Sequence, residues 1–243
     1  MIFLPDLDAI PEETARRAKF IYINYPNNPT GAVATKAFYE KLVAWAKTYE
    51  VGVVSDLAYG ALGYQGYENP SFLSTPGAKD VGIEFYTFSK TFNMAGWRLA
   101  FAAGNDQMIE ALNLIQDHLF VGIFPALQEA GIAALLDPKS EEAVAQLNAT
   151  YDSRRDAFVQ AAAKIGWQAF PSRGSFYAWM PVPEGYTSES FADLLLEKVH
   201  VAVAPGKGFG PAGDAYVRIG LLVEPERLVE AVDRIANLHL FNN

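Results

Sequence analysis

Cysteine is absent from all 243 residues. That excludes disulfide stapling, thiolate-bound metals and iron–sulfur chemistry together. Histidine is nearly as scarce: His118, His200 and His239 are scattered without metal-ligand spacing, so no metal site is expected. Basic charge is also in deficit, with 19 Lys and Arg against 28 Asp and Glu, a formal net charge of −9. No basic stripe that could track phosphates runs along the chain, which argues against a nucleic-acid partner. No apolar run approaches the roughly 20 residues a membrane span needs, so no membrane partner is expected either. The opening Met1-Ile2-Phe3-Leu4-Pro5 is apolar but lacks the basic n-region and long h-region of a secretory signal. The expected location is the cytoplasm.

What is present reads as a soluble α/β protein long enough for one large domain or two small ones. Residues 19–24 form a short β-rich run stopped by Asn24-Tyr25-Pro26, and Asn27-Asn28-Pro29-Thr30-Gly31 is a loop by its turn chemistry. Thr35 can cap a helix running to about Tyr49, in which Phe38, Leu42, Trp45 and Ala46 recur near helical spacing. Apolar strands follow at 51–55, 82–88 and 97–103. Strand, helix and strand with runs apolar on both faces predict a mostly parallel sheet covered by helices over residues 1–137. One helical stretch covers 106–136, and Asp137-Pro138 breaks it. Beyond lies a helix at 140–165, then short strands near 167–170, 175–180, 199–203 and 215–219, with helices near 188–198 and 225–240. That pattern predicts a smaller α+β domain over 138–243.

The residues that bear chemistry fall at strand ends. Tyr86-Thr87-Phe88-Ser89-Lys90 delivers one lysine from an apolar run, where an amine is costly without a partner or a reaction; alone it could be a snorkelling surface lysine. Asp56 follows Gly52-Val53-Val54-Ser55, where a buried carboxylate needs a cationic partner such as a pyridinium nitrogen; an ordinary strand-end aspartate or a cap is the alternative. Tyr59, three residues on, can reach a ring phenolate oxygen, although alone it reads as core, and Asn28 can donate an amide N–H to the same oxygen. Arg98, Ser89 and Thr87 suit a phosphate, since residues two apart on a strand share a side. Arg218, inside Tyr216-Val217-Arg218-Ile219-Gly220, suits a substrate carboxylate, with a structural ion pair as the alternative. Pro205-Gly206-Lys207-Gly208-Phe209-Gly210 is glycine-rich but precedes no helix, so it is not read as a phosphate cradle. An amine, an isolated acid, a tyrosine, an amide and two arginines are the fittings of a pyridoxal phosphate site.

Together the NNPTG loop, Ser89-Lys90-Thr91-Phe92-Asn93-Met94-Ala95-Gly96-Trp97-Arg98 and the stretch from Gly206 to Arg218 resemble the fold-type I aminotransferases of the aspartate aminotransferase superfamily (class I/II). The branch most resembled holds the LL-diaminopimelate, alanine and methionine-salvage aminotransferases. The resemblance runs from Leu4-Pro5-Asp6-Leu7 to the last helix. It implies pyridoxal 5'-phosphate as cofactor, amino acid and 2-oxo acid substrates, ping-pong amino transfer, and a homodimer. It further implies Lys90 as Schiff base and proton shuttle, Asp56 on the ring nitrogen, and Asn28 and Tyr59 on the phenolate oxygen. Ser89, Arg98 and Thr87 would take the phosphate; the superfamily often has serine where Thr87 stands, and the hydroxyl is kept. Arg218, with Asn28, would take the substrate. A pyridoxal phosphate-dependent β-lyase shares these fittings, and a non-catalytic fragment or effector-sensing module of the same fold is the alternative from another class. Members of the superfamily are longer at the N-terminal side, where they carry a phosphate-binding turn and a ring-stacking aromatic. Nothing before Asn24 serves those roles. The 243 residues alone are therefore expected to retain cofactor weakly and to transfer amino groups negligibly.

Overall fold

Short β-rich runs alternating with helix-length segments fold into two compact units in the computed structural model, which describes residues 3–170 and 172–241. Met1 and Ile2 of the apolar opening run lie outside the described residues. One compact unit comprises the residues up to Pro26 together with Val33–Gly63 and Tyr67–Gln146; the other comprises Asn27–Ala32, Tyr64–Gly66 and the chain from Leu147. Among the described residues no helix is long and apolar enough to cross a membrane.

In the first unit the order is α1 (Glu12–Arg17), β1 (Phe20–Asn24), α2 (Lys36–Tyr49), β2 (Gly52–Asp56), α3 (Ala78–Val81), β3 (Gly82–Thr87), α4 (Phe88–Thr91), β4 (Ala100–Gly104), α5 (Asp106–Leu119) and α6 (Pro125–Leu136). The strands line up β1-β2-β3-β4; the first three are parallel and β4 runs antiparallel to β3. The expected mostly parallel sheet is therefore present. Thr35 caps α2, its hydroxyl oxygen accepting the Phe38 N–H at 3.1 Å, and Phe38, Tyr39, Leu42, Val43 and Ala46 form the helix's buried face. Tyr39 meets Phe72 edge-on with ring centroids 5.8 Å apart.

Two boundaries differ from expectation. The helical stretch over 106–136 is broken into α5 and α6, because Val121 (φ 61°) and Gly122 (φ 125°) turn the backbone left-handed and Pro125 begins a new helix. The strand expected from Trp97 begins only at Ala100: Ala95–Trp97 forms a 3-10 turn and Arg98 is left-handed at φ 57°.

Glu84 is the one buried carboxylate on β3, 6% exposed. It accepts from the Ser55 hydroxyl (3.0 Å), the Ser71 hydroxyl (2.5 Å) and the Phe72 N–H (2.8 Å), so it ties β2 and the following loop to β3. Removing the carboxylate strands three donors in the core. Glu84→Ala is expected to cost about 3–5 kcal/mol of stability, and Glu84→Gln less, since an amide oxygen still accepts. Urea midpoints check this; an unchanged midpoint for Glu84→Ala would show the cluster to be expendable.

The helix α7 (Ser140–Lys164) contains the division between the units. In the second unit follow β5 (Tyr177–Pro181), α8 (Ser188–Val199), β6 (Ala204–Pro205), β7 (Tyr216–Gly220) and α9 (Pro225–Ala236). The sheet order is β5-β7-β6, antiparallel throughout. Alternation along these strands sends Ala178, Met180, Val217 and Ile219 into a core with Phe158, Trp167, Phe191 and Leu195. Two expected strands do not form. Trp167 is instead packed in the core, its indole N–H donating to the Pro181 carbonyl at 2.7 Å and its backbone N–H bonded back to Ala162 O at 2.9 Å, while Phe170 N bonds to Trp179 O at 3.1 Å. At 199–203, His200 closes α8 in the left-handed region (φ 56°) and Val201 N bonds back to Leu195 O. The chain is thus held to the helix end, and only Ala204–Pro205 pairs with β7.

Candidate active site

Parallel strands deliver their last residues to one rim of the sheet. Asn24 at the end of β1 is the register partner of Asp56 at the end of β2, and Asp56 in turn pairs with Phe85, two residues before the end of β3. In open α/β sheets this carboxyl rim is where ligands bind. The Asn24 side-chain amide donates to the Asp56 carbonyl at 3.0 Å, and the Ala58 N–H donates to Asp56 Oδ1 at 3.0 Å. The four residues before Asp56 are buried, but Asp56 itself is exposed. The expectation of a buried carboxylate is thereby corrected: the strand carries its last side chain out of the apolar layer onto the rim. Leu57 N bonds to Phe85 O at 2.9 Å, which fixes the direction in which the chain leaves β2. Tyr59 is buried.

Lys90 does not end a strand; it lies in the short helix α4 immediately beyond β3. Its Nζ stands 6.0 Å from the centroid of the Tyr59 ring. Three contacts hold α4 at the strand end. The Thr87 hydroxyl oxygen accepts the Ser89 N–H at 3.2 Å, Phe88 N bonds to Leu99 O at 3.2 Å, and the Tyr86 and Thr91 hydroxyls are hydrogen-bonded at 2.6 Å. Burial raises the Tyr86 pKa, and the bond to Thr91 pulls it the other way. Thr87 and Ser89 are therefore brought together by helix capping, not by strand alternation, because the strand ends at Thr87. Arg98 is exposed in the left-handed loop before β4, where its Nη1 donates to the Ala95 carbonyl at 3.0 Å.

In the second unit Arg218 lies on β7 opposite Trp179 of β5 and Ala204 of β6. Its Nη1 donates to Asn28 Oδ1 at 2.7 Å. The partner is an amide, so the structural ion pair weighed for Arg218 does not describe this contact. Its Cζ lies 4.2 Å from the Tyr177 ring centroid and 4.7 Å from that of Phe209. Asn28 sits in a braced loop: the Asn27 side chain accepts from Thr30 N (3.2 Å) and the Thr30 hydroxyl (2.8 Å), and Gly31 N bonds to Asn27 O at 2.8 Å. Neither Tyr177 nor Phe209 was signalled by the sequence as a neighbour of Arg218. Tyr177 could have been found from alternation along β5; Phe209, in a non-periodic glycine-rich turn, could not.

The donor set of the first unit fits pyridoxal 5'-phosphate. It offers one amine for an aldehyde, one carboxylate for a ring nitrogen, one phenol for a ring oxygen, and two hydroxyls with a guanidinium for a phosphate. A cavity of about 810 Å³ elsewhere in that unit is lined by Phe20, Val54, Ile83, Met108, Leu112 and Ile115 among others and by none of these residues; its wall is mostly apolar, and the amine on it, Lys47, is paired with Asp80 at 2.6 Å.

The profile of the family "aminotransferase class I and II" matches residues 3–235. The chain is 57% identical over 239 residues to the L-glutamine–4-(methylsulfanyl)-2-oxobutanoate aminotransferase of Bacillus subtilis, covering 98% of this chain and 60% of that protein. It is 49% identical over 233 residues to the LL-diaminopimelate aminotransferase of Moorella thermoacetica, covering 96% and 59%. Among solved structures, an aminotransferase from Staphylococcus aureus superposes with a TM-score of 0.95 at 39% identity, over 99% of this chain and 64% of that one. The chain thus spans about 60% of the length of the curated relatives it matches.

Proposed function

The chain belongs to the aminotransferase class I and II family, and from that premise we propose that the whole protein moves an amino group between an L-amino acid and a 2-oxo acid with pyridoxal 5'-phosphate. One observation carries the reading: Lys90 Nζ stands 6.0 Å from the Tyr59 ring, and Asp56 ends the strand beside the one that leads to Lys90. The cofactor, when bound, supplies the electron sink that makes a proton on the substrate α-carbon removable. Lys90 holds the cofactor's aldehyde carbon and afterwards carries that proton. Asp56 accepts from the ring nitrogen and keeps its proton in place. Tyr59 and Asn28 orient the ring oxygen, and Thr87, Ser89 and Arg98 hold the phosphate. Arg218 grips the substrate carboxylate two-pronged, with Asn28 beside it.

Residues 1–137 are the C-terminal part of the cofactor-binding large domain in this reading, and 138–243 the small domain. A homodimer is supported by the bare apolar side chains where α5 gives way to α6: Leu119, Phe120, Val121 and Phe124 are 66–87% exposed, more apolar surface than a lone chain ordinarily leaves to water. The cysteine-free composition suits the cytoplasm. The relatives' names suggest glutamine or LL-diaminopimelate as amino donors and 4-(methylsulfanyl)-2-oxobutanoate as an acceptor.

The test supplies pyridoxal phosphate, these donors and acceptors, and 2-oxoglutarate to two proteins: the 243-residue chain, and the chain joined to the upstream region of the Bacillus subtilis relative. The appearance of new amino acid and new 2-oxo acid is measured. Transfer is expected from the joined form. Arg218→Lys in that form is expected to raise the donor KM at least about tenfold with cofactor absorbance unchanged, because the planar fork is lost. No transfer from either protein would sink the reading; with an S-substituted cysteine added as a further substrate, release of its thiol together with pyruvate and ammonia would favour a β-lyase.

A further inference from the structure

The glycine-rich run Pro205–Gly210 serves no phosphate in the reading above, yet it is built closely. Gly206–Phe209 forms a 3-10 turn after β6. A Cβ on Gly206 would lie 2.2 Å from Gly213 O, 2.4 Å from Tyr216 O and 2.8 Å from Cη2 of Trp179, so only glycine lets the turn close on β7. Gly210 N bonds to Lys207 O at 3.1 Å, and Lys207 N takes the Ser188 hydroxyl oxygen at 3.2 Å. The Lys207 ammonium is drawn to Glu189 at 2.7 Å. The turn is therefore tied at both ends, and its cation is engaged with an acid of α8.

What the turn presents is Phe209. On the sheet face opposite the core, Tyr177, Trp179, Tyr216 and Arg218 point the same way, since Trp179 is the register partner of Arg218 and Tyr177 and Tyr216 lie two residues from them. Trp179, 2% exposed, stacks on Tyr216 at 5.2 Å and meets Phe209 edge-on at 6.0 Å. Phe209 is thus held by Trp179 while its own ring lies 4.7 Å from the Arg218 guanidinium carbon, and Tyr177 lies at 4.2 Å.

Resting on the assignment of Arg218 to the substrate carboxylate, we infer that the Gly206–Phe209 turn is a positioning element: Phe209, with Tyr177, holds the Arg218 guanidinium in place for a carboxylate. The chemistry explains why rings are used. An aspartate or glutamate beside Arg218 would also hold it, but would occupy the edge N–H groups and compete with the substrate. Ring faces stabilise the cation through the quadrupole and leave the edge donors for a carboxylate. Asn28, a neutral acceptor, takes one N–H of Nη1. A long side chain held beforehand loses less rotamer freedom when its ligand arrives, and affinity rises accordingly.

The test uses the 243-residue chain and propionate, an unreactive carboxylate, with propionamide as the neutral control. Binding is read from the Arg218 Nε resonance and from titration. Phe209 is 41% exposed and lies outside the cluster of Trp167, Phe191 and Leu195, so Phe209→Leu is expected to keep the parent's thermal midpoint, which is measured alongside. Phe209→Leu is expected to weaken propionate about fivefold and leave propionamide unchanged, Phe209→Tyr to bind within about twofold of the parent, and Arg218→Ala to abolish the difference between the two ligands. Phe209→Leu binding like the parent while Arg218→Ala loses the anion would overturn this inference alone. Propionate binding that is absent from the parent, or indifferent to Arg218→Ala, would overturn the carboxylate role of Arg218 and this inference with it.

Discussion

Replacing Lys90 with alanine is expected to reduce amino transfer by at least about four orders of magnitude, the combined scale of losing a covalent anchor and a general acid–base group. The amine is singular in its place. Lys90 is on α4, which the Thr87 cap and the Tyr86–Thr91 hydroxyl pair fasten to the end of β3, and its Nζ faces the Tyr59 ring. Lys207, the lysine of the glycine-rich turn, is engaged with Glu189 in the other unit. In the chain joined to its relative's upstream region, borohydride reduction in the presence of pyridoxal phosphate should fix the cofactor to the peptide containing Lys90. Lys90→Arg keeps the positive charge but not a nucleophilic amine, so it should be as inactive as alanine. A label on Lys79 or Lys207, or activity surviving in Lys90→Ala, would remove Lys90 from the mechanism.

The rim of the sheet was legible in the sequence because apolar β-rich runs stop abruptly. Residues 20–24, 52–56 and 82–87 each end on a polar side chain, Asn24, Asp56 and Thr87, and parallel pairing sets those ends along one rim. Exposure at the rim was harder to read: the four apolar or small residues before Asp56 suggest burial, but a strand's last side chain leaves the layer its predecessors occupy. Short-range backbone geometry was illegible for a different reason. Val121 and Arg98 take left-handed conformations that neither residue type advertises, so the late start of β4 had no signal in the sequence, whereas Gly122 and Pro125 mark the break between α5 and α6. The aromatic surroundings of Arg218 divide along the same line. Tyr177 follows from period-two alternation on β5, whereas Phe209 arrives by a turn whose path is set by the absence of a Cβ at Gly206.

Asp56 carries two duties that substitution can separate. Its Oδ1 accepts the Ala58 N–H at 3.0 Å and so shapes the turn that leads to Tyr59; its negative charge, in the proposed mechanism, keeps the cofactor ring nitrogen protonated. Asparagine retains an acceptor oxygen for Ala58 and removes the charge; alanine removes both. Asp56→Asn is therefore expected to fold like the parent, with an unchanged thermal midpoint, yet to lose two to four orders of magnitude in turnover, roughly the 3–5 kcal/mol scale of a cofactor charge left without its partner. Asp56→Ala should lose the same activity and, in addition, some stability through the vacated turn. Asp56→Glu keeps the charge at the wrong reach and should fall between parent and Asn. Turnover is measured in the chain joined to its relative's upstream region, and the thermal midpoint in the 243-residue chain. If Asp56→Asn transferred amino groups at near the parent rate, the carboxylate would be a turn-former alone, and the group that holds the ring proton would have to be sought elsewhere on the rim.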